Sequence, residues 1–246
     1  MSVDRSGVRG WKRVAGNLVD QLVLRMPFVS ELFNQGLSKS LGLLAGFHLL
    51  SRLEIEGDYL EFGIFRGETL RNAVLAARQG YRGTREGRFR GRFIGFDSFA
   101  GLPPVSSMGD GVNLYAAGEF SATRAEVEAT LGPLRQRHSI ELIEGWFADT
   151  LVPETAAKLR LNRVAFVNID CDLYESTVPV LEFITPMLQT GTVIYFDDWF
   201  SYRGSTSHGE PRACREWLQR HPEIRLVDYR NVAITGKMFL VNLHEP

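Results

Sequence analysis

Two adjacent carboxylates, Asp197 and Asp198, directly follow a short apolar run in the sequence and precede an aromatic pair. Asp170 and Asp172 follow a second apolar run in the same way. Like charges at such close spacing repel each other unless a positive charge lies between them. Carboxylate oxygens are hard ligands, and they select Mg²⁺, Mn²⁺ or Ca²⁺ rather than zinc. The pattern therefore predicts a divalent metal ion between Asp170 and the Asp197–Asp198 pair.

These carboxylates can meet only if the apolar runs before them are neighbouring strands of one sheet. Apolar runs and stretches of helical periodicity alternate along most of the chain. Leu70, Ala73, Val74 and Ala77, for example, recur at the spacing of a helix that Gly80 would end. Alternating strands and helices predict a doubly wound, mostly parallel α/β sheet. Two final apolar runs with little helix between them predict an antiparallel C-terminal edge.

The first strand of this sheet ends in the pattern Glu61-x-Gly63-x-x-x-Gly67. Ligands of doubly wound sheets bind beyond the carboxyl ends of the strands. Gly63 would let the backbone approach a ligand, and the following helix N-terminus would offer N–H groups to an anion. A tight strand-to-helix turn also explains the two glycines. Because the pattern lacks the G-x-G-x-x-G spacing of a dinucleotide site, a dehydrogenase is not expected.

A carboxylate at the tip of the second strand, Asp97, favours a nucleoside ligand. An acidic side chain at this position of an α/β nucleotide site accepts hydrogen bonds from ribose hydroxyls. Trp146 and Phe147 end the predicted third strand, SIELIEGWF, and could flank an adenine ring, although partly buried core aromatics are an equally good interpretation. The first three strand ends together therefore predict a nucleoside-containing cofactor.

Five ordered blocks of the sequence resemble the macrocin, mycinamicin and novobiocin sugar O-methyltransferases. The blocks read GDYLEFGIFRGETL, FIGFDSFAGLP, EGWFADTL, VNIDCDLYESTVPVLEFI and TVIYFDDW. The resemblance implies a Rossmann-like class I methyltransferase fold, S-adenosyl-L-methionine as cofactor and a role in natural-product biosynthesis. It also implies Mg²⁺ on Asp170, Asp197 and Asp198, with Asp170 as the general base.

The resemblance further implies cofactor contacts at the first three strand ends and at the tip of the fourth. The expected cofactor-binding residues are Glu61, Gly63, Ile64, Arg66, Gly67, Thr69, Asp97, Ser98, Gly145, Trp146, Phe147 and Asp170. Residues 53–246 are then the S-adenosylmethionine-binding methyltransferase domain. Residues 1–52, which are rich in leucine and poor in proline, are expected to be a helical cap or an oligomer contact.

The acceptor is expected to be a small, sugar-like or polyol molecule with two neighbouring hydroxyls. Such a pair of hydroxyls could chelate the metal ion, and Asp170 could then accept the proton from one of them. A planar catechol would chelate equally well. Residues 1–50 and 200–211 would form the walls, and both depart from the antibiotic-sugar enzymes. Residues expected to contact the acceptor are Asp172, Tyr174, Trp199, Tyr202 and His208, with His208 as an alternative base.

Two other functions are compatible with parts of the sequence. Asp170-Cys171-Asp172 forms the D-x-D pattern that holds a metal ion and a diphosphate in nucleotide-sugar glycosyltransferases. That interpretation leaves both Glu61-x-Gly63 and the paired acids unexplained. A non-catalytic binding module that kept the pocket is the second alternative, and the intact set of acids argues against it.

The composition describes an ordinary globular protein without an electrostatic pull on polyanions. The chain has 246 residues, 44% hydrophobic content and a formal net charge of −1, so neither nucleic acid nor a membrane is an expected partner. Cys171 and Cys214 are too few for a disulfide scaffold, and the N-terminal residues lack an apolar leader. A cytoplasmic location is therefore expected. A homo-oligomer is expected as well, because residues 1–52 could form an oligomer contact.

Overall fold

The computed structural model describes residues 36–104 and 115–244, which contain seven strands and seven helices. The strands are β1 (Asp58–Phe62), β2 (Phe93–Asp97), β3 (Ile140–Glu144), β4 (Val164–Ile169), β5 (Val193–Phe196), β6 (Ile224–Val232) and β7 (Gly236–Leu243). The helices are α1 (Ser38–Leu53), α2 (Glu68–Gly80), α3 (Arg124–Arg135), α4 (Phe147–Thr150), α5 (Pro153–Leu159), α6 (Tyr174–Ile184) and α7 (Gly209–Arg220).

All seven strands form one sheet in the order β3-β2-β1-β4-β5-β7-β6. The five strands from β3 to β5 are parallel, and β7 runs antiparallel to both β5 and β6. This arrangement confirms the predicted doubly wound sheet with an antiparallel C-terminal edge. The strand order reverses between β1 and β4, and ligands of such sheets bind beside this switch point.

Apolar side chains cover both faces of the sheet, which is why the parallel strands are apolar almost without interruption. Phe47 of α1, Val74 of α2 and Leu131 of α3 belong to the cluster on one face. Helices α5, α6 and α7 cover the other face, where Leu181 and Trp217 are fully buried. The acids at the strand ends therefore stand on a rigid double-layered support.

Helix α1 agrees with the helical segment that the sequence predicts near residues 41–50. It packs directly on the sheet, because Phe47 stacks on Phe166 of β4 with ring centroids 5.3 Å apart. The predicted helices before residue 36 lie outside the described residues. The predicted boundary between residues 52 and 53, and the role of the segment as a cap, stay predictions.

Two element boundaries differ from the sequence-based prediction. The third strand was expected to continue through Phe147, but β3 ends at Glu144 because Gly145 has a φ of +139°. The spacing of Leu181, Ile184 and Leu188 predicts one helix after the fourth strand, but α6 ends at Ile184 and a single 3₁₀ turn follows. Within the described ranges, no helix combines the length and the apolar character needed to cross a bilayer.

Candidate active site

The carboxyl ends of the five parallel strands, β1 to β5, line a cavity of about 890 Å³. This position beside the switch point brings together residues from five distant parts of the sequence. Of the residues predicted for the site, those that line the cavity are Gly63, Ile64, Arg66, Thr69, Asp97, Ser98, Gly145, Trp146, Phe147, Asp170, Asp172, Asp197 and Asp198.

The predicted cofactor residues Glu61 and Gly67 lie behind the cavity lining. The side chain of Glu61 is fully buried, and its Oε2 accepts a hydrogen bond of 2.5 Å from the hydroxyl of Tyr59. Burial raises the pKa of Glu61 to about 8, although the hydrogen bond from Tyr59 and the nearby amide of Asn168 act to lower it. Gly67 instead precedes α2 with a φ of +79°, a conformation that suits glycine.

Four of the predicted acceptor contacts are also set back from the cavity. The Tyr174 hydroxyl donates to Glu216 on α7, and Trp199 packs against Phe239. Tyr202 is buried and donates to the backbone oxygen of Asp172, while the ring of His208 stacks on the ring of Tyr202. These side chains support the wall of the cavity from behind, whereas Asp172 lines it as predicted.

The loop after β1 is held in place by Asp97. One carboxylate oxygen, Oδ2, accepts hydrogen bonds from the backbone N–H groups of Ile64 at 2.6 Å and Phe65 at 3.1 Å. The other, Oδ1, accepts from the N–H of Phe99 at 2.7 Å. Asp97 therefore joins the ends of β1 and β2 at the cavity wall, a role that the sequence did not indicate.

Gly63 lets β1 and β4 approach each other at the cavity floor. Its φ is +87°, and a Cβ atom built there would lie only 1.8 Å from the backbone oxygen of Asp170. No side chain fits at this position, so the glycine is required by packing as well as by its backbone conformation. The close approach places the tip of β1 beside the first acid of the cluster.

Asp170, Asp197 and Asp198 form an acid cluster at the tips of β4 and β5. One carboxylate oxygen from each lies within 4.8 Å of the other two. The hydroxyl of Ser201 donates to Asp198 at 2.6 Å, and the Tyr115 hydroxyl lies 3.3 Å from the same oxygen. Three converging carboxylates are a donor set that fits a hard divalent cation.

The crowded acids hold their protons more tightly than free aspartates do. Burial and the neighbouring charge of Asp197 raise the pKa of Asp170 and also that of Asp198. Burial and the charge of Asp198 raise the pKa of Asp172 to about 8, and a hydrogen bond between these two carboxyl groups acts in the same direction. Asp172 also has a φ of +60°, which few residues other than glycine adopt.

Lys39 supplies a positive charge to this cluster from α1. Its Nζ atom donates to Asp197 Oδ2 at 2.5 Å and lies 3.7 Å from Asp170 Oδ2. Burial lowers the pKa of Lys39, but the charges of Asp170 and Asp197 outweigh burial and raise it above its ordinary value. The lysine therefore stays protonated and partly compensates the acids.

Sequence reasoning did not identify Lys39, Tyr195 or Glu210. Tyr195 stands two residues before Asp197 on β5 and donates to Asp197 Oδ1, so the alternation of a strand could have indicated it. Glu210 is fully buried, and its Oε2 accepts from the N–H of Asp198 at 2.9 Å. Neither Lys39 nor Glu210 belongs to a motif, and only the fold brings them to the acids.

Exposed aromatic side chains stand at the mouth of the cavity. Phe120 and Trp146 are 49% and 41% exposed, and both line the cavity. Phe65 meets Phe120 edge-to-face, with ring centroids 5.8 Å apart. The mouth therefore offers flat apolar faces for a ring, while the floor of the cavity is acidic.

Comparison with known proteins connects this geometry to one family. The family model described as "Macrocin-O-methyltransferase (TylF)" matches residues 46–229. An enzyme of Streptomyces olivaceus, named 8-demethyl-8-(2,3-dimethoxy-alpha-L-rhamnosyl)-tetracenomycin-C 4'-O-methyltransferase, is 31% identical over 156 residues. The match covers 59% of this chain and 54% of that enzyme, so the chain spans about half the length of this relative.

Two solved structures share the fold. The calicheamicin methyltransferase CalS11 has a TM-score of 0.65 at 22% identity, and the match covers 98% of this chain and 94% of that one. The O-methyltransferase NovP has a TM-score of 0.62 at 20% identity, with 82% and 79% of the two chains covered. The sheet and its order are therefore those of the class I methyltransferases, as the resemblance implied.

Proposed function

Because the chain belongs to the macrocin-O-methyltransferase (TylF) family, we propose that it is an S-adenosylmethionine-dependent O-methyltransferase. Its acceptor is a hydroxyl of a sugar-like or other polyol molecule in natural-product biosynthesis. One observation carries the proposal: the glycine-containing end of β1 and the acid cluster line the same cavity of about 890 Å³. A methyl donor at the first and an alcohol at the second would meet in one space.

The ends of β1, β2 and β3 form the cofactor side of the cavity. S-adenosylmethionine supplies a methyl group on a positively charged sulfur, which is a good leaving group. Gly63 allows a close approach to the backbone, and Asp97 orders the loop that would surround the ligand. The Oδ1 atom of Asp97 accepts one backbone hydrogen bond and has a lone pair left for a ribose hydroxyl. The half-exposed ring of Trp146 offers a face for the adenine.

The acid cluster forms the acceptor side. A divalent ion held by Asp170, Asp197 and Asp198 would supply Lewis-acid chemistry, which lowers the pKa of a hydroxyl that it contacts. Asp170 lines the cavity between Gly63 and the other two acids, and it is our candidate for the general base. Without a metal ion, Lys39 and Tyr195 donate to the two oxygens of Asp197 and thereby orient it.

The acceptor of this proposal carries two neighbouring hydroxyls. Three carboxylates leave about half of an octahedral Mg²⁺ shell for other ligands. A rigid diol fills two adjacent positions with less loss of entropy than two separate ligands. The relative from Streptomyces olivaceus is named for a rhamnosyl acceptor, which supports a sugar. The aromatic mouth suits a ring attached to that sugar, and it also suits a catechol, which is the nearest alternative acceptor.

The glycosyltransferase alternative has less support. Asp170 and Asp172 both line the cavity, as a D-x-D pair would. However, the family that the chain belongs to consists of O-methyltransferases, and the paired acids of β5 have no place in that alternative. Binding of a sugar nucleotide in preference to S-adenosylhomocysteine would revive it.

The test of the proposal is a crossed pair of variants. Asp97→Ala should weaken S-adenosylhomocysteine binding about 10- to 100-fold in calorimetry, the range expected for a hydrogen bond to a charged group. Asp198→Asn should keep that affinity and lose the rate that Mg²⁺ supports. The rate is measured as transfer of a tritiated methyl group to saccharides, catechols and hydroxylated metabolites, with Mg²⁺ or with chelator. Full activity of the wild type in chelator would contradict the metal requirement.

Once an acceptor is known, its deoxy analogue tests the diol. The analogue lacks only the neighbouring hydroxyl that is not methylated. We expect a large loss of methyl transfer, because a single hydroxyl is positioned less rigidly at the acid cluster. Equal rates for the analogue and the parent would contradict a role for the second hydroxyl and leave the methyltransferase assignment intact.

A further inference from the structure

Lys39 reaches the acid cluster from an element far away in the sequence. Its ammonium lies 2.5 Å from Asp197 Oδ2 and 3.7 Å from Asp170 Oδ2. The side chain of Lys39 is 23% exposed and that of Asp197 is 7% exposed. Because both side chains are mostly buried, this ion pair is screened less than an exposed one. Lys39 therefore forms salt bridges with two of the carboxylates that would also hold a metal ion.

Asp197 has both of its carboxylate oxygens engaged. The buried hydroxyl of Tyr195 donates to Oδ1, and the ammonium of Lys39 donates to Oδ2. Each oxygen has a second lone pair, so a metal ion can bind beside either donor, but beside Lys39 it meets a like charge. Tyr195 is rigid and has no exposed surface, whereas Lys39 has a long flexible chain at the cavity wall. Lys39 is therefore the donor that yields.

The backbone that carries Lys39 is fixed on the sheet. The N–H of Ala233, in the turn between β6 and β7, donates to the hydroxyl of Ser38 at 3.1 Å. Gly46 of α1 lies so close to Phe166 that a Cβ atom there would be 2.4 Å from the ring. Helix α1 thus cannot withdraw without losing this packing, and the ammonium leaves Asp197 by rotation of its own side chain.

On this basis we propose that Lys39 is a tethered cation that competes with the divalent metal ion for Asp197. The inference rests on the metal site of the proposed function. Two cations cannot share one carboxylate oxygen without strong repulsion, so the ammonium leaves when the metal ion binds. Lys39 thereby holds the acids together before the metal ion arrives, and it lowers the affinity of the site for the metal. It is a positioning residue, and it takes no proton from the acceptor.

Calorimetry with Mg²⁺ alone tests the competition. Lys39→Met keeps much of the side-chain length and removes the charge, and we expect Mg²⁺ to bind at least about tenfold more tightly. The matched control is Lys158→Met, which removes one charge from an exposed position of α5 and should leave the affinity unchanged. Equal or weaker Mg²⁺ binding in Lys39→Met would overturn the proposal, because a lysine that merely shapes the site would give that result.

Two further readouts keep the proposal testable if that variant folds poorly. With chelator present, Lys39→Met should have a lower melting temperature than Lys158→Met. Mg²⁺ should then raise the melting temperature of Lys39→Met more than that of Lys158→Met. In the wild type, Mg²⁺ should increase acetylation of Lys39 by an amine reagent, read by mass spectrometry, with no change at Lys158. Unchanged acetylation of Lys39 at saturating Mg²⁺ would overturn the proposal. Methyl transfer in chelator would instead contradict only the metal requirement of the proposed function. It would not bear on whether Lys39 competes with Mg²⁺ for Asp197.

Discussion

Tyr59 and Tyr195 each stand two residues before a buried acid on a central strand, and each donates its hydroxyl to that acid. Alternation along a strand puts residues i and i+2 on the same face, so the pairing follows from the spacing. The two acids differ in setting. Asp197 also accepts a hydrogen bond from Lys39 and lines the cavity, whereas Glu61 is fully buried and does not line it.

The buried Glu61 gives the protein a predictable response to pH. The folded state holds the Glu61 proton up to a pKa of about 8, while an unfolded chain releases it near 4.5. Between these values the folded state binds more protons, so this group's contribution to stability falls as pH rises through the interval. Glu61→Gln keeps an acceptor for Tyr59 and removes the titration.

We therefore expect Glu61→Gln to flatten the fall in melting temperature between about pH 5 and pH 8 relative to the wild type. The exposed Glu154→Gln, on α5, is the control and should follow the wild-type curve. Because all other acids remain in both proteins, the difference between the curves isolates Glu61. Parallel curves for Glu61→Gln and the wild type would show that Glu61 is ionised in the folded protein.

The acids at strand tips could be predicted from the sequence, whereas their partners could not. Asp97, Asp170 and Asp197 each follow an apolar run, and parallel strands place such tips at one edge. Lys39 is 158 residues away from Asp197 and lies in a leucine-rich helix without a motif. Its role depends on how α1 packs on the sheet, and no local pattern encodes that packing.

At the scale of elements, α1 determines how the acceptor side of the cavity is built. Gly42 and Gly46 lie one turn apart on the face that meets the sheet. Cβ atoms there would lie 2.6 Å from the Val232 side chain and 2.4 Å from the Phe166 ring. The two glycines thus allow a helix to approach the sheet closely, which the sequence did not reveal because glycine usually signals a helix end.

Gly46→Ala should therefore destabilise the protein, although alanine is the better helix former. Forcing one methyl group against the ring of Phe166 is an overpacking change, and such changes cost about 1–3 kcal/mol. Urea unfolding measures the loss. His48→Ala, on the exposed side of the same helix, is the control and should stay within about 0.5 kcal/mol of the wild type. Equal stability of Gly46→Ala and the wild type would mean that α1 lies farther from the sheet.

Knowing the order of strands and helices does not tell which side chains in the loops line the cavity. Tyr174, Trp199, Tyr202 and His208 were expected to contact the acceptor, since they follow the acid-bearing strands. Trp199 instead packs on Phe239, and Tyr174 of α6 donates to Glu216 of α7. Tyr202 and His208 lie in the loop between β5 and α7, where they bond to the Asp172 backbone oxygen and to Ser205. The path of a loop decides whether its aromatic side chains reach the cavity. Residue type alone does not determine that path.

At the scale of the whole molecule, the reversal of strand order between β1 and β4 accounts for most of the site. It separates the loops that follow these strands and opens the cavity between them. The proposed cofactor side and the proposed acceptor side would then fall on opposite flanks of one opening. This much follows from the alternation of strands and helices, so the fold class and the location of the site were both predictable.

Two leucines near the start of α1 are exposed within the part of the chain that the structure describes. Leu37 and Leu41 are 37% and 50% exposed, and they lie one helical turn apart. Burying a leucine side chain stabilises by roughly 1.5–3 kcal/mol relative to leaving it exposed, so a partner surface would be favourable here. We propose that these leucines contact a second copy of the chain, in agreement with the expected homo-oligomer.

Leu41→Glu should therefore dissociate the assembly, because a buried carboxylate at the contact would carry a large desolvation penalty. Light scattering coupled to size-exclusion chromatography gives the molar mass directly. We expect the wild type at a multiple of the 27.7 kDa chain mass and Leu41→Glu at the mass of one chain. Leu75→Glu, at another partly exposed leucine on α2, is the matched control and should keep the wild-type mass. A wild type with the mass of one chain, or a Leu41→Glu variant that stays assembled, would contradict this contact.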